Sequence, residues 1–252
     1  TIRMITSAGV VTTLAGTAGS SGSTNGTGAV ARFNTPFGIS ADRAGTGGAA
    51  VNVFVAGTQN NTVRQIVVAT GAVTTLAGTA GASGNANGTG AAASFSHPDA
   101  VVTNTAGTTL YVADTFNHLI RQVVVSTAVV TTLAGSGTQG QTDATGTAAS
   151  FDNPTGVAID GSGNVLVSDT FNHTIRSITS AGVVTTIAGL ADNSGTANGL
   201  AGAARFNFPS GISFFGGPSN ITYVVDTNNQ LVRKVSAATA PSITAQPVAN
   251  SG

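Results

Sequence analysis

Asp169-Thr170-Phe171-Asn172-His173-Thr174-Ile175-Arg176 is the stretch on which the reading of this chain turns, because the chain keeps rewriting it. Asp114-Thr115-Phe116-Asn117-His118-Leu119-Ile120-Arg121 is nearly the same eight residues. Gly57-Thr58-Gln59-Asn60-Asn61-Thr62-Val63-Arg64 and Asp226-Thr227-Asn228-Asn229-Gln230-Leu231-Val232-Arg233 are looser copies, and Thr1-Ile2-Arg3 is the end of another. The arginines Arg3, Arg64, Arg121, Arg176 and Arg233 stand 61, 57, 55 and 57 residues apart. A nearly fixed period of this size marks one supersecondary unit written several times.

Around that stretch each copy holds four short runs of strand type. In the best-formed copy they are Gly156–Ile159, Val165–Ser168, Thr174–Thr179 and Val183–Gly189. Each is rich in β-branched residues, and Gly, Asn and Asp separate them, which gives hairpin after hairpin. Four short antiparallel strands per unit predict an all-β chain, a β-propeller of four-stranded antiparallel blades, about four of them visible.

The Gly/Ser/Thr/Asn-rich connections, such as 16–28 and 78–90, have the composition of linkers. Their ends contradict that. Each closes on Ala-x-Phe, at Phe33, Phe95, Phe151 and Phe206, and a proline follows three residues later, at Pro36, Pro98, Pro154 and Pro209. The preceding Leu or Ile lies 19, 19, 18 and 19 residues before the Phe. Free linkers do not keep length this way, so these are ordered loops pinned by a buried Phe wedged between blades.

Composition narrows the classes. Hydrophobic residues make up 41% of the 252 residues, so a core can form. Charged residues are only 7% and the net charge is zero, which argues against a nucleic-acid surface. There is no cysteine, hence no disulfide and no thiolate metal site. No apolar run approaches the roughly 18 residues of a membrane helix. The absence of cysteine suits an exported bacterial protein, extracellular or at the cell surface. The start inside a repeat, without a leader, reads as a processed or partial polypeptide.

Gly163-Asn164-Val165-Leu166-Val167-Ser168-Asp169-Thr170-Phe171-Asn172-His173, followed by an Ile-Arg strand, resembles the NHL repeat, and Asn117-His118 completes a second copy. The likeness covers residues 1–236. It implies a β-propeller and no single function, since the family includes interaction scaffolds, extracellular proteins and a few lyases. Gly57 departs from the motif's Asp, and Asn61 and Gln230 depart from its His. Those departures argue that these positions serve the blade.

The candidate residues are weighed accordingly. Asp114, Asp169 and Asp226 offer one carboxylate per blade, too few for calcium, and read as turn acceptors or partners of the repeat arginine. Asn60, Asn117, Asn172 and Asn229 belong to the same turn. The arginines read as structural groups bonding loop carbonyls, with an anion-binding ring as the sharper alternative. His118 and His173 read as turn residues bonding their own turn, and His97 as a variable loop residue. Phe116 and Phe171, at turn tips, form a contact surface for another protein or fold over the blade edge. No catalytic residue, metal or cofactor is expected, and no nucleophile elbow, zinc motif or phosphate loop is present. The Asn-x-Thr sequons read as chance.

The chain therefore reads as a non-catalytic exported structural or interaction module that works through protein partners or self-association. A carbohydrate- or protein-binding propeller is the alternative, and a lyase or hydrolase the third. Residues 237–252 read as a linker or tail lacking a fourth strand, with a spelling at Pro241–Pro247 that resembles the opening of an immunoglobulin-like domain. The missing strand is expected from the other end: Val10–Leu14 should pair with Leu231–Val235, closing a ring within one chain or building a filament between chains.

Overall fold

The computed structural model describes residues 1–42, 51–216, 220–236 and 242–246. The chain is all-β, with four blades of antiparallel strands. By packing it divides into two units, residues 1–117 with 121–131, and residues 118–120 with 132–252.

The first unit opens with a two-stranded sheet, β1 (Ile2–Ile5) and β2 (Val11–Ala15). Blade I follows: β3 (Gly26–Thr27), β4 (Pro36–Ala41), β5 (Asn52–Gly57), β6 (Thr62–Val67) and β7 (Ala72–Ala77), in the order β3-β7-β6-β5-β4. Blade II, mostly in this unit, repeats the pattern with β8 (Gly88–Thr89), β9 (Pro98–Thr103), β10 (Thr109–Asp114), β11 (Leu119–Val124) and β12 (Val129–Ala134). In the second unit, blade III is β13 (Pro154–Ile159), β14 (Val165–Asp169), β15 (Thr174–Ile178) and β16 (Val184–Gly189). Blade IV is β17 (Gly199–Leu200), β18 (Pro209–Phe215), β19 (Ile221–Asp226), β20 (Leu231–Ser236) and β21 (Ser242–Gln246).

Each blade is a meander because each hairpin supplies its own turn chemistry. In the repeated turn, the residue after Asn is left-handed in every copy: Asn61, His118, His173 and Gln230 have φ between 55° and 58°. The loops add a feature that composition hides. Their Gly-Thr or Gly-Leu pairs, β3, β8 and β17, dock as short fifth strands on the outer edge of a later strand.

The cores lie between consecutive blades. Phe95 is fully buried with Phe54, Val63 and Leu76 of blade I and Val101, Leu110 and Val112 of blade II. Phe206 repeats this with Ile175 and Ala188 of blade III and Val224 and Val235 of blade IV. Phe33 packs with Ile2 and Ala15 on one side and Val55 and Ile66 on the other. Close approach of neighbouring first strands demands glycine: a Cβ at Gly156 would collide with the Ser210 carbonyl oxygen.

One expectation is corrected. The partner of β20 on its outer side is β21, with Arg233 opposite Ala245 and Val235 opposite Ile243. Val11–Ala15 pairs with Ile2–Ile5 instead, so the exchange of Val10–Leu14 onto Leu231–Val235 does not occur. An edge of unpaired N–H and C=O groups takes the nearest extended segment, and Ser242–Gln246 is only a few residues further along the chain. The remainder of the expected tail, 237–241 and 247–252, lies outside the described residues.

Candidate functional site

The repeated turn and the Phe loop form one buried knot per blade. In blade III, Arg176 Nη1 donates to Asp169 Oδ2 at 2.6 Å and to the Ser150 carbonyl at 3.1 Å. Its Nη2 donates to the Thr142 carbonyl and to Asp143 Oδ1. The Asn172 amide donates to Asp169 Oδ2 and to the Gly140 carbonyl. The other carboxylate oxygen, Oδ1, accepts the Asp152 backbone N–H. The guanidinium lies 5.1 Å from the centre of the Phe151 ring, in the range where a cation gains from an aromatic face.

Blades II and IV repeat this with an asparagine in place of Asp143, and without the further bond that Arg176 Nε gives to Asp143. Arg121 bonds Asp114, Ser94 O, Ala86 O and Asn87 beside Phe95, and Asn117 bonds Asp114 and Gly84 O. Arg233 bonds Asp226, Arg205 O, Ala197 O and Asn198 beside Phe206, and Asn229 bonds Asp226 and Gly195 O. The aspartates thus accept the backbone N–H of the residue after the Phe and a side-chain N–H from the Asn of their own turn. The four repeat arginines Arg64, Arg121, Arg176 and Arg233 are fully buried, whereas Arg3 is exposed. That rules out a surface ring of five equivalent anion ligands.

Blade I shows the knot without its carboxylate. Arg64 bonds Arg32 O, Thr24 O and Asn25 Oδ1 over Phe33, and Asn60 bonds Gly22 O, but Gly57 offers no side chain. Burial lowers the Arg64 pKa from its ordinary value. Burial pushes the carboxyls of Asp114 and Asp169 up to about 6, against the opposing pull of the asparagine, backbone and arginine donors.

Four further residues of the knot escaped sequence reasoning: Asn25, Asn87, Asp143 and Asn198, whose side-chain oxygens accept from the arginines. Their signal was legible as an Asn or Asp three residues before a repeated Gly or Ala: Asn-Gly-Thr-Gly twice, Asp-Ala-Thr-Gly and Asn-Gly-Leu-Ala.

The outward side of the same turns is different in kind. Phe116 is 55% exposed and Phe171 46%. Phe116 stacks on His97 with ring centres 4.1 Å apart, and Phe171 meets Phe208 edge-on at 4.9 Å. Phe116 therefore leans on the entry of its own blade, and Phe171 on the entry of the following repeat. His118 and His173 reach the following repeat through hydrogen bonds. Their Nδ1 atoms accept the backbone N–H of Asn153 and of Phe208, so they tie to the next repeat and not to their own turn. Burial lowers the His173 pKa. Beside the His97–Phe116 pair, Asp99 is raised by burial, opposed by the hydroxyls of Thr115 and Thr58 and by the charge of His97. Thr58 and Thr170 also cap the Pro98 and Pro209 carbonyls. An aromatic face beside a desolvated carboxyl is a binding chemistry.

A separate cleft of about 260 Å³ opens in the second unit, where Leu166, Ile187, Phe214 and Val235 face Asp160 and Asn220. Asp160 spends its oxygens on Ser162 N, Asn164 N and the Asn164 amide. Among the described residues no group of three His, Cys, Asp or Glu could hold a metal, and no helix is long and apolar enough to cross a membrane.

Comparison with known proteins agrees with this geometry. Residues 151–176 match the family model of the NHL repeat. NHL repeat-containing protein 2 of Homo sapiens is 38% identical over 132 residues, 49% of this chain and 18% of that protein. An auxiliary nutrient binding protein from Bacteroides thetaiotaomicron superposes with a TM-score of 0.63 at 18% identity, over 96% of this chain and 52% of its own. A virginiamycin B lyase from Staphylococcus aureus superposes with a TM-score of 0.57 at 12% identity, over 98% of this chain and 62% of its own. The chain thus spans less than a fifth of its human relative and about half of the first of these structures, and the structural likenesses speak for the fold alone.

Proposed function

We propose that this NHL-repeat propeller is a non-catalytic binding module, exported, and working by contact with a protein partner or with its own copies through the turns between second and third strands. The observation that carries this is the division of labour within the repeat. The polar groups written into every full copy are consumed in a buried knot, and what two of the four turns present outward is aromatic: Phe116 on His97, Phe171 on Phe208. An exposed aromatic is enriched where proteins meet. The nutrient-binding relative in fold supports binding as the task; the lyase shares the fold and is the reason catalysis needs a test.

A second reading, carbohydrate binding, is favoured by one observation. The Phe116–His97 stack lies beside Asp99, an apolar platform next to a carboxyl acceptor that suits a sugar ring. Sedimentation velocity across a wide concentration range, on the parent and on a Phe116→Ala/Phe171→Ala variant, tests the first reading. Concentration-dependent association that the variant loses supports it. Calorimetric titration with neutral oligosaccharides tests the second: heat in the parent and none in Phe116→Ala would replace the first reading with the sugar site. Turnover of virginiamycin B by the parent would overturn both.

A further inference from the structure

The junction of blades III and IV departs from the repeat. Thr222 stands four residues before Asp226, a place that holds Val53, Leu110 and Val165 in the other copies. It is 6% exposed, and among the described residues its hydroxyl has no hydrogen-bond partner. On the facing blade, Leu166 opposite Ser177 stands where blade I has Phe54 opposite Gln65. Phe54 and Leu110 are fully buried together between blades I and II. With Leu166, Ser177 and Thr222 in their places, the cleft of about 260 Å³ opens instead. Its wall is aromatic, because Phe214 lies opposite Thr222 where the other copies have Ala41, Thr103 and Ile159. Lost core volume and an unpaired buried hydroxyl both cost stability. Local departures from a fold's own rules, gathered at one place, mark a functional site.

We infer that this cleft binds a single neutral sugar ring, with the ring's C–H face against Phe214 and its hydroxyl groups bonded to Thr222, Ser177 and Asn220. The lining selects that chemistry. Among the described residues that line it there is no Arg, Lys or His, so an anion finds no partner. The one carboxylate, Asp160, already accepts three N–H bonds from its own turn, so a cation gains little there. A purely apolar ligand would leave the Thr222 hydroxyl unpaired. Leu166, Ile187 and Val235 give an apolar floor, while hydroxyl and carboxamide groups both donate and accept, as the hydroxyls of a sugar do. The volume lies just below the roughly 300–1,000 Å³ of pockets for drug-sized ligands, which leaves room for one ring. This site goes beyond the aromatic turns and shares no residue with them, so either reading can fail without the other.

The probes are glucose, galactose, mannose and xylose, each titrated into the whole protein and followed by ligand-observed NMR and calorimetry. The expected result is saturable binding of at least one. Leu166→Phe restores the blade I side chain, which the fold buries fully at Phe54; it is expected to abolish binding and to keep or raise the melting temperature. Thr222→Val supplies the residue of the same place in blades I and III and keeps the side-chain shape. It is expected to weaken binding about five- to tenfold, the scale of one hydrogen bond, and to raise the melting temperature, which replacing a purely structural residue would not do. Should Leu166→Phe fail to fold, Thr222→Val decides alone. No saturable binding of any of the four sugars overturns the proposal, and so does binding that Thr222→Val leaves unchanged. Binding that survives Leu166→Phe and is lost in Phe116→Ala overturns it in favour of the turn platform. Binding of benzene without binding of any sugar also overturns it, by making the cleft a dry apolar void.

Discussion

At the scale of single residues, the repeat is held by a charged group placed where charge is expensive. A buried guanidinium is tolerated only when its donors are taken up and its charge answered. Here the loop carbonyls, an Asn or Asp side chain and a phenyl face do most of this, and Asp114, Asp169 or Asp226 completes it. The Phe is the apolar half of the arrangement. Phe151→Ala is expected to cost about 3–5 kcal/mol, the range for truncating a fully buried aromatic, read as a lower denaturant midpoint; an unchanged midpoint would refute the role. Gly57 offers the converse experiment. Its backbone (φ −91°, ψ 78°) matches that of Asp226 (φ −93°, ψ 78°), so an aspartate fits the conformation. A Cβ there would lie 3.1 Å from Thr62 Oγ1, a contact that a shift of a few tenths of an ångström relieves. Gly57→Asp is expected to stabilise by about 1–2 kcal/mol, through a charge-assisted bond to Arg64 and a less flexible unfolded chain. A lower melting temperature would show that the carbonyls around Arg64 already suffice.

At the scale of elements, each strand is marginal alone and is fixed by the one beside it. β21 shows how weak the local signal can be. Ser242-Ile243-Thr244-Ala245-Gln246 lacks the Val-Val-Thr-Thr-Leu/Ile spelling of the other fourth strands, yet it pairs along β20 in the equivalent register, Arg233 opposite Ala245 as Arg176 is opposite Thr186. The β20 edge recruits it through backbone groups, which carry no sequence. Ending the chain at Ser236 should therefore expose that edge, and an exposed edge templates association. Light scattering on heating is expected to rise well below the parent's transition; a truncated protein as soluble and as stable as the parent would show that β21 contributes nothing.

At the scale of the whole molecule, the buried carboxyls set a direction for stability against pH. Asp114 and Asp169 are raised to about 6 in the folded state by burial, while an unfolded aspartate titrates near 3.9. Between those values the folded chain binds protons that the unfolded chain does not, so stability should rise as pH falls from about 6 toward about 4. Above pH 6 both states are ionised and the slope vanishes. Denaturant melts at several pH values test this, and Asp114→Asn should flatten the profile. A stability that falls steadily over the same window would mean that Arg121 and Arg176 hold these groups ionised throughout.

The period, the four strands per unit, the Phe wedge and the propeller class were all legible in the residues, because a repeat states each local preference several times over. The turn residues Asp, Asn and Arg were legible as structural for the same reason. What they bond was not. His118 reaches Asn153 and His173 reaches Phe208 across 35 residues, and Arg176 reaches Thr142 across 34; such partners are chosen by how blades stack, which no local pattern encodes. Asn25, Asn87, Asp143 and Asn198 looked like linker polarity until the loop folded over the arginine. The pairing of β21 belongs to the same class. Sequence fixes which segments are strands through side-chain periodicity, whereas which edges meet is settled by backbone groups that are alike in every residue and are satisfied only in three dimensions.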